Sequence, residues 1–103
     1  MGKGKYLTLW EQKLPIILSA IEEGGSKKQL SPEEFEQQGN RVASGYTFRL
    51  DISNGIIPIK KGSAVARDLK EVLDNSIRFK NIAKDKHITI KMGNKFILII
   101  EIH

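Results

Sequence analysis

The sequence predicts one small α+β domain in the order α-α-β-β-α-β-β, with two antiparallel hairpins in a roughly four-stranded sheet packed by helices. Three observations carry this. The chain has 103 residues, enough for one core and too few for two. Its apolar residues recur with a helical period before Gly45 and with a period of two directly after it, which is the change from amphipathic helix to half-buried strand. Asn54-Gly55 then sits between apolar alternations, and both residues of that pair tolerate the positive φ that a two-residue hairpin loop needs. Residues 1–103 therefore read as a single domain, with a helical part over 1–40 and a hairpin-helix-hairpin part over 41–103.

The first helix is announced by Thr8-Leu9-Trp10-Glu11, a capping box in which the Thr8 hydroxyl accepts from the Glu11 N–H and the Glu11 carboxylate reaches back. Trp10, Leu14, Ile17, Leu18 and Ile21 share one face, and Gly24-Gly25 supplies the stop. Pro15 removes one backbone hydrogen bond, which predicts a kink or a helix that starts near it. Gly24 to Gln29 reads as a flexible polar connection. Ser31-Pro32-Glu33-Glu34 combines an N-cap serine, a first-position proline and a third-position glutamate, so a second helix begins there. Gly39 and Asn40 end it within about two turns.

The first strand carries Tyr46, Phe48, Leu50 and Ile52 on its buried face and Thr47, Arg49 and Asp51 on its wet face. Ile56, Ile57 and Ile59 form the return strand. Pro58 has no N–H to give, so that strand lies at a sheet edge or stops its pairing there. Ser63 caps a third helix with Val65, Leu69, Val72 and Leu73 inward and Arg67, Lys70, Glu71 and Asp74 outward, and Asn75-Ser76 ends it. Ile77 to Lys86 fits either another short helix or an irregular crossing. His87 to Met92 and a final strand ending at Ile102 make the second hairpin. A three-residue loop pairs Met92 with Phe96, groups Ile88, Ile90, Met92, Phe96, Leu98 and Ile100 on one face, and sets His87 opposite Glu101. Ile97 and Ile99 are left on the other side, which predicts a final strand that is central in the sheet or covered by a helix.

Several chemistries are excluded or unsupported. There is no Cys, hence no disulfide scaffold, thiolate metal site or thiol nucleophile. No apolar run is long enough for a transmembrane helix, and Glu11 and Lys13 interrupt the stretch a signal peptide would need, so the expected location is cytoplasmic. His87 and His103 lack a third ligand, and the serines sit where caps and turns want them. No catalytic set, metal site or cofactor is expected, and the balance leans away from an enzyme.

Charge is the remaining signal, and it is uneven. Residues 1–40 hold five Lys against six Glu, a net of −1, whereas residues 41–103 hold twelve Lys and Arg against six Asp and Glu, a net of +6. Local density decides whether a polyanion is attracted. The expected function is a non-enzymatic nucleic-acid-binding domain whose Lys and Arg residues contact phosphates, DNA and RNA being equally open. The candidates are Arg49, Lys60, Lys61, Arg67, Lys70, Arg78, Lys80, Lys84, Lys86 and Lys91, with Tyr46 and Phe79 as stacking partners. The alternative is a protein-interaction module, a homodimer or another partner docking on the apolar final strand.

From Leu30 to Leu73, the short helix, Ser44-Gly45-Tyr46, the hairpin, Pro58-Ile59-Lys60-Lys61 and the Asp68-Leu69-Lys70 helix resemble the small double-stranded-RNA-binding-like fold of HicA-type RNase toxins. The resemblance covers under half the chain. It implies a metal-independent RNase whose catalytic histidine falls near Tyr46, where this chain has no histidine.

Overall fold

The structure is a computed structural model and describes residues 4, 6–25, 27–30, 47–61, 64–92 and 97–103. The second expected helix, from Ser31 to Gly39, lies outside these residues, as do Tyr46, Gly62-Ser63 and Gly93 to Phe96. The elements are α1 (Leu7–Glu23), β1 (Lys27–Leu30), β2 (Phe48–Ser53), β3 (Ile59–Lys61), α2 (Ala64–Asp74), α3 (Ile77–Ile82), β4 (His87–Met92) and β5 (Leu98–Ile102). Among the described residues, five antiparallel strands stand in the order β1-β5-β4-β2-β3, so the α+β class holds with one strand more than the sequence suggested.

Helix α1 starts earlier than the capping box implied and runs through Pro15. Tyr6 occupies its N-cap without a side-chain cap, and the Tyr6 backbone N–H donates to Asp68 Oδ2 at 2.8 Å. The earlier start is favoured because it buries Leu7 and Leu9 beside Trp10, which is wholly inaccessible. The Trp10 indole Nε1–H donates to the Val65 carbonyl at 3.1 Å, satisfying the one polar atom of the ring. Ile17, Leu18 and Ile21 are buried as the period requires, and Lys13 is turned inward with them.

Helix α2 buries Val65, Leu69, Val72 and Leu73. The segment after it resolves into α3, because the Ser76 hydroxyl accepts from the Phe79 N–H at 3.0 Å and so caps a new helix one step past the old one. Phe79 is fully buried. These helices share a core with one sheet face, formed by Phe48, Leu50 and Ile52 against Met92, Ile90 and Ile88, and by Ile90 and Met92 against Ile100 and Leu98.

The β2–β3 turn is the expected one: Asn54 and Gly55 have φ of 53° and 80°, and Ser53 and Ile56 exchange backbone hydrogen bonds of 3.1 and 3.0 Å. β3 is an edge strand, but it begins at Ile59 and not at Ile56: Ile56 makes only a single bridge to Ser53, and Pro58, with no N–H to give, precedes the strand. The last hairpin departs from expectation. Met92 pairs with Leu98, not Phe96, and Thr89, not His87, faces Glu101. A slip of two residues keeps every side chain on its face, so the apolar set survives with Ile102 added to it. Lys27–Leu30, of which Lys27 to Gln29 were expected in a flexible connection, forms β1 on the far side of β5 with Leu30 opposite Leu98. That pairing makes β5 central, which is what Ile97 and Ile99 called for. Among the described residues, no helix is long and apolar enough to cross a membrane.

Candidate nucleic-acid interface

With the helices on one face of the sheet, alternation sends a polar set to the other. Cross-strand register arranges it in rows. Arg49 lies opposite Lys91, and Lys91 opposite Ile99. The next row runs Asp51, Thr89, Glu101 and Lys27. At the end of the strands Ser53 pairs with His87, and the His103 N–H donates to the His87 carbonyl at 2.7 Å.

The middle row contains an orienting network. Thr89 has 0% of its surface exposed, and its hydroxyl lies 3.0 Å from Asp51 Oδ1 and 3.3 Å from His103 Nε2. A buried hydroxyl must be hydrogen-bonded, and this one donates to the carboxylate. Asp51 in turn accepts from Arg49 Nε at 3.1 Å and faces Lys60 Nζ at 3.7 Å. Burial raises the Asp51 pKa, but the Thr89 hydrogen bond and the Arg49 and Lys60 charges outweigh it and hold the carboxyl below its ordinary value. Asp51 is therefore a fixed anion that aims Arg49. Only Nε of the guanidinium is engaged by it, and the side chain remains about half exposed. Beside it Lys91 Nζ is held 3.2 Å from Glu101 Oε1.

Arg49, Lys60 and Lys91 line a concavity of about 730 Å³ that also takes in Thr47, Asp51 and Ile99, over the strand positions of Phe48 and Met92, whose side chains are buried in the core. A site with three cations, one carboxylate and an apolar side chain suits an anion that also carries an apolar part.

The predicted basic residues divide between the two sides of the sheet. Arg49, Lys60 and Lys91 meet at the concavity, and the backbone of Lys61 pairs with Arg49 on β3. Arg67, Lys70, Arg78, Lys80, Lys84 and Lys86 belong to the helix layer and the turn that follows it. There Lys70 pairs with Asp74 and Arg78 with Glu22, both at 2.6 Å, and the Lys86 ammonium donates to the Ile82 carbonyl. Phe79 is buried and unavailable for stacking. His87 stands against His103, ring centroids 5.4 Å apart, and among the described residues no group of three His, Cys, Asp or Glu is placed to hold a metal. The sequence pattern passed over Thr89 and gave Asp51 only a place on the wet face of its strand. The period of two did place Asp51 beside Arg49 on the wet face, but the Thr89 partner depends on a register across 38 residues of chain.

What the fold and this face define is a small α+β domain with a helix layer behind the sheet and a charged concavity in front. No family model, no curated protein and no solved structure matches the chain.

Proposed function

We propose that the protein is a nucleic-acid-binding domain that holds phosphates on the sheet face opposite its helices. One observation carries the reading: Arg49, aimed by Asp51 with the buried Thr89 behind it, shares a concavity with Lys60 and Lys91. A half-exposed guanidinium held through Nε can offer its terminal nitrogens as a fork for phosphate oxygens, and flanking ammonium groups neutralise neighbouring phosphates. Pre-orientation matters because ordering a long side chain on binding costs free energy that this network has already offset.

The test is a fluorescence-anisotropy titration of the full chain with labelled single- and double-stranded DNA and RNA across a salt series. Three phosphate contacts predict that log K falls against log salt with a slope of about −2 on a single strand or nearly −3 on a duplex. Arg49→Ala combined with Lys91→Ala should lower affinity about tenfold and flatten that slope. Absence of salt-sensitive binding to all four polymers removes the proposal. Gel analysis of the recovered RNA separates a binder from a nuclease, intact RNA being the expected result. The self-association reading has less support, since β5 is hydrogen-bonded on both sides by β1 and β4 and Ile97 and Ile99 are half-buried.

A further inference from the structure

Resting on that reading, we infer that the face takes single-stranded nucleic acid in preference to a duplex, with one unstacked base seated in the concavity bounded by Arg49, Lys60, Lys91 and Ile99. Three features of the face select the single strand. The first is apolar surface among the cations: Ile99 is half-buried on the outer face and lines the concavity beside Arg49, Lys60 and Lys91. A duplex offers phosphate ridges and keeps its base faces stacked, so it has nothing apolar to place there. A single strand brings a flat π-face with each nucleotide.

The second is the held guanidinium. Arg49 is fixed through Nε by Asp51, which sets the plane of the group. A fixed guanidinium plane stacks on a base while its terminal nitrogens reach a phosphate. The third is the pattern of sign. Asp51 and Glu101 lie in the row directly beside that of Arg49 and Lys91 on β2, β4 and β5. A rigid double row of phosphates cannot avoid those carboxylates, but a flexible strand can route its phosphates over Arg49, Lys60 and Lys91 and turn base amino groups toward the acids. The cations span three adjacent strands, roughly 10 Å at the usual strand spacing, so the footprint is a few nucleotides.

The experiment is a competition on the full chain. A labelled mixed-sequence single strand of about a dozen nucleotides is displaced by the unlabelled strand, by its duplex, and by the same strand with abasic sugars at every position, in parallel DNA and RNA series at one ionic strength. The expected result is that the single strand competes at least about tenfold better than the duplex and the abasic strand. Ile99→Ser should weaken the single strand while leaving the salt slope unchanged, because no phosphate contact is lost. A 2-aminopurine base in the wild-type complex should change its fluorescence on binding, which reads the seated base without relying on a variant. Equal or better competition by the duplex or the abasic strand overturns this inference and leaves phosphate binding standing. No binding to any polymer overturns both.

Discussion

Thr89 shows how one hydroxyl sets the character of a surface. It lies on the face that alternation assigns to water, yet it is fully buried, because Asp51 and His103 close over it. Thr89→Val keeps the shape and removes the donor. The loss should be about 1–2 kcal/mol near neutral pH, since a carboxylate oxygen in a half-buried setting loses a partner. Asp51 gives the pH signature. Its folded pKa lies below the unfolded value, so its contribution to stability is complete above the unfolded value and fades as pH falls through the lowered folded one. Without the hydroxyl the folded pKa moves back up, so the stability difference between wild type and Thr89→Val shrinks in acid. Urea denaturation of both proteins at neutral pH and near pH 3 measures this, and a difference that grows in acid contradicts the assigned donor. The same variant should also weaken nucleic-acid binding, because Arg49 loses the anchor behind its own anchor.

Elements divide into those whose pattern is local and those whose partner is remote. The β2–β3 turn was fully legible: Asn54-Gly55 demands positive φ at both positions, and both adopt it. Gly55→Ala forces a Cβ into φ of 80° and should cost about 1 kcal/mol, seen as a lower urea midpoint with an unchanged m-value. Helix α2 and the edge position of β3 were legible for the same local reasons. β1 was not, because Lys27-Lys28-Gln29-Leu30 turns only Leu30 fully inward and its pairing partner is the other end of the chain. The start of α1 was misread because Thr8-x-x-Glu11 satisfies the capping rule locally, whereas burial of Leu7 and Leu9 and the Asp68 contact draw the N-cap back by two residues, to Tyr6. In the β4–β5 hairpin the parity was right and the register was not. Alternation fixes which face a side chain takes but leaves slips of two residues open, and that slip moved His87 from Glu101 to His103.

At the scale of the whole molecule, the basic excess of residues 41–103 is contiguous in sequence and divided in space. α2 and α3 carry Arg67, Lys70, Arg78 and Lys80 on the layer behind the sheet, while β2, β3 and β4 carry Arg49, Lys60 and Lys91 in front of it. The chain crosses from one layer to the other at each strand-to-helix connection, so linear charge density could not reveal the division. The smallest extent of the molecule is 23 Å, more than twice the Debye length of roughly 8–10 Å at physiological salt. Charges on the helix layer are therefore screened from a strand bound on the sheet face, and they attract at long range only when salt is low. This separates two populations of cation by experiment. The triple variant Arg67→Ala, Lys80→Ala and Lys84→Ala removes three charges from exposed positions and should leave single-strand affinity within about threefold at physiological salt. Arg49→Ala, Lys60→Ala and Lys91→Ala together remove the same charge and should reduce binding by about two orders of magnitude, with most of the salt slope lost. Equal losses from the two triples would show that net charge governs binding and that the concavity does not. A larger loss from the helix-layer triple would move the interface to the other side of the molecule.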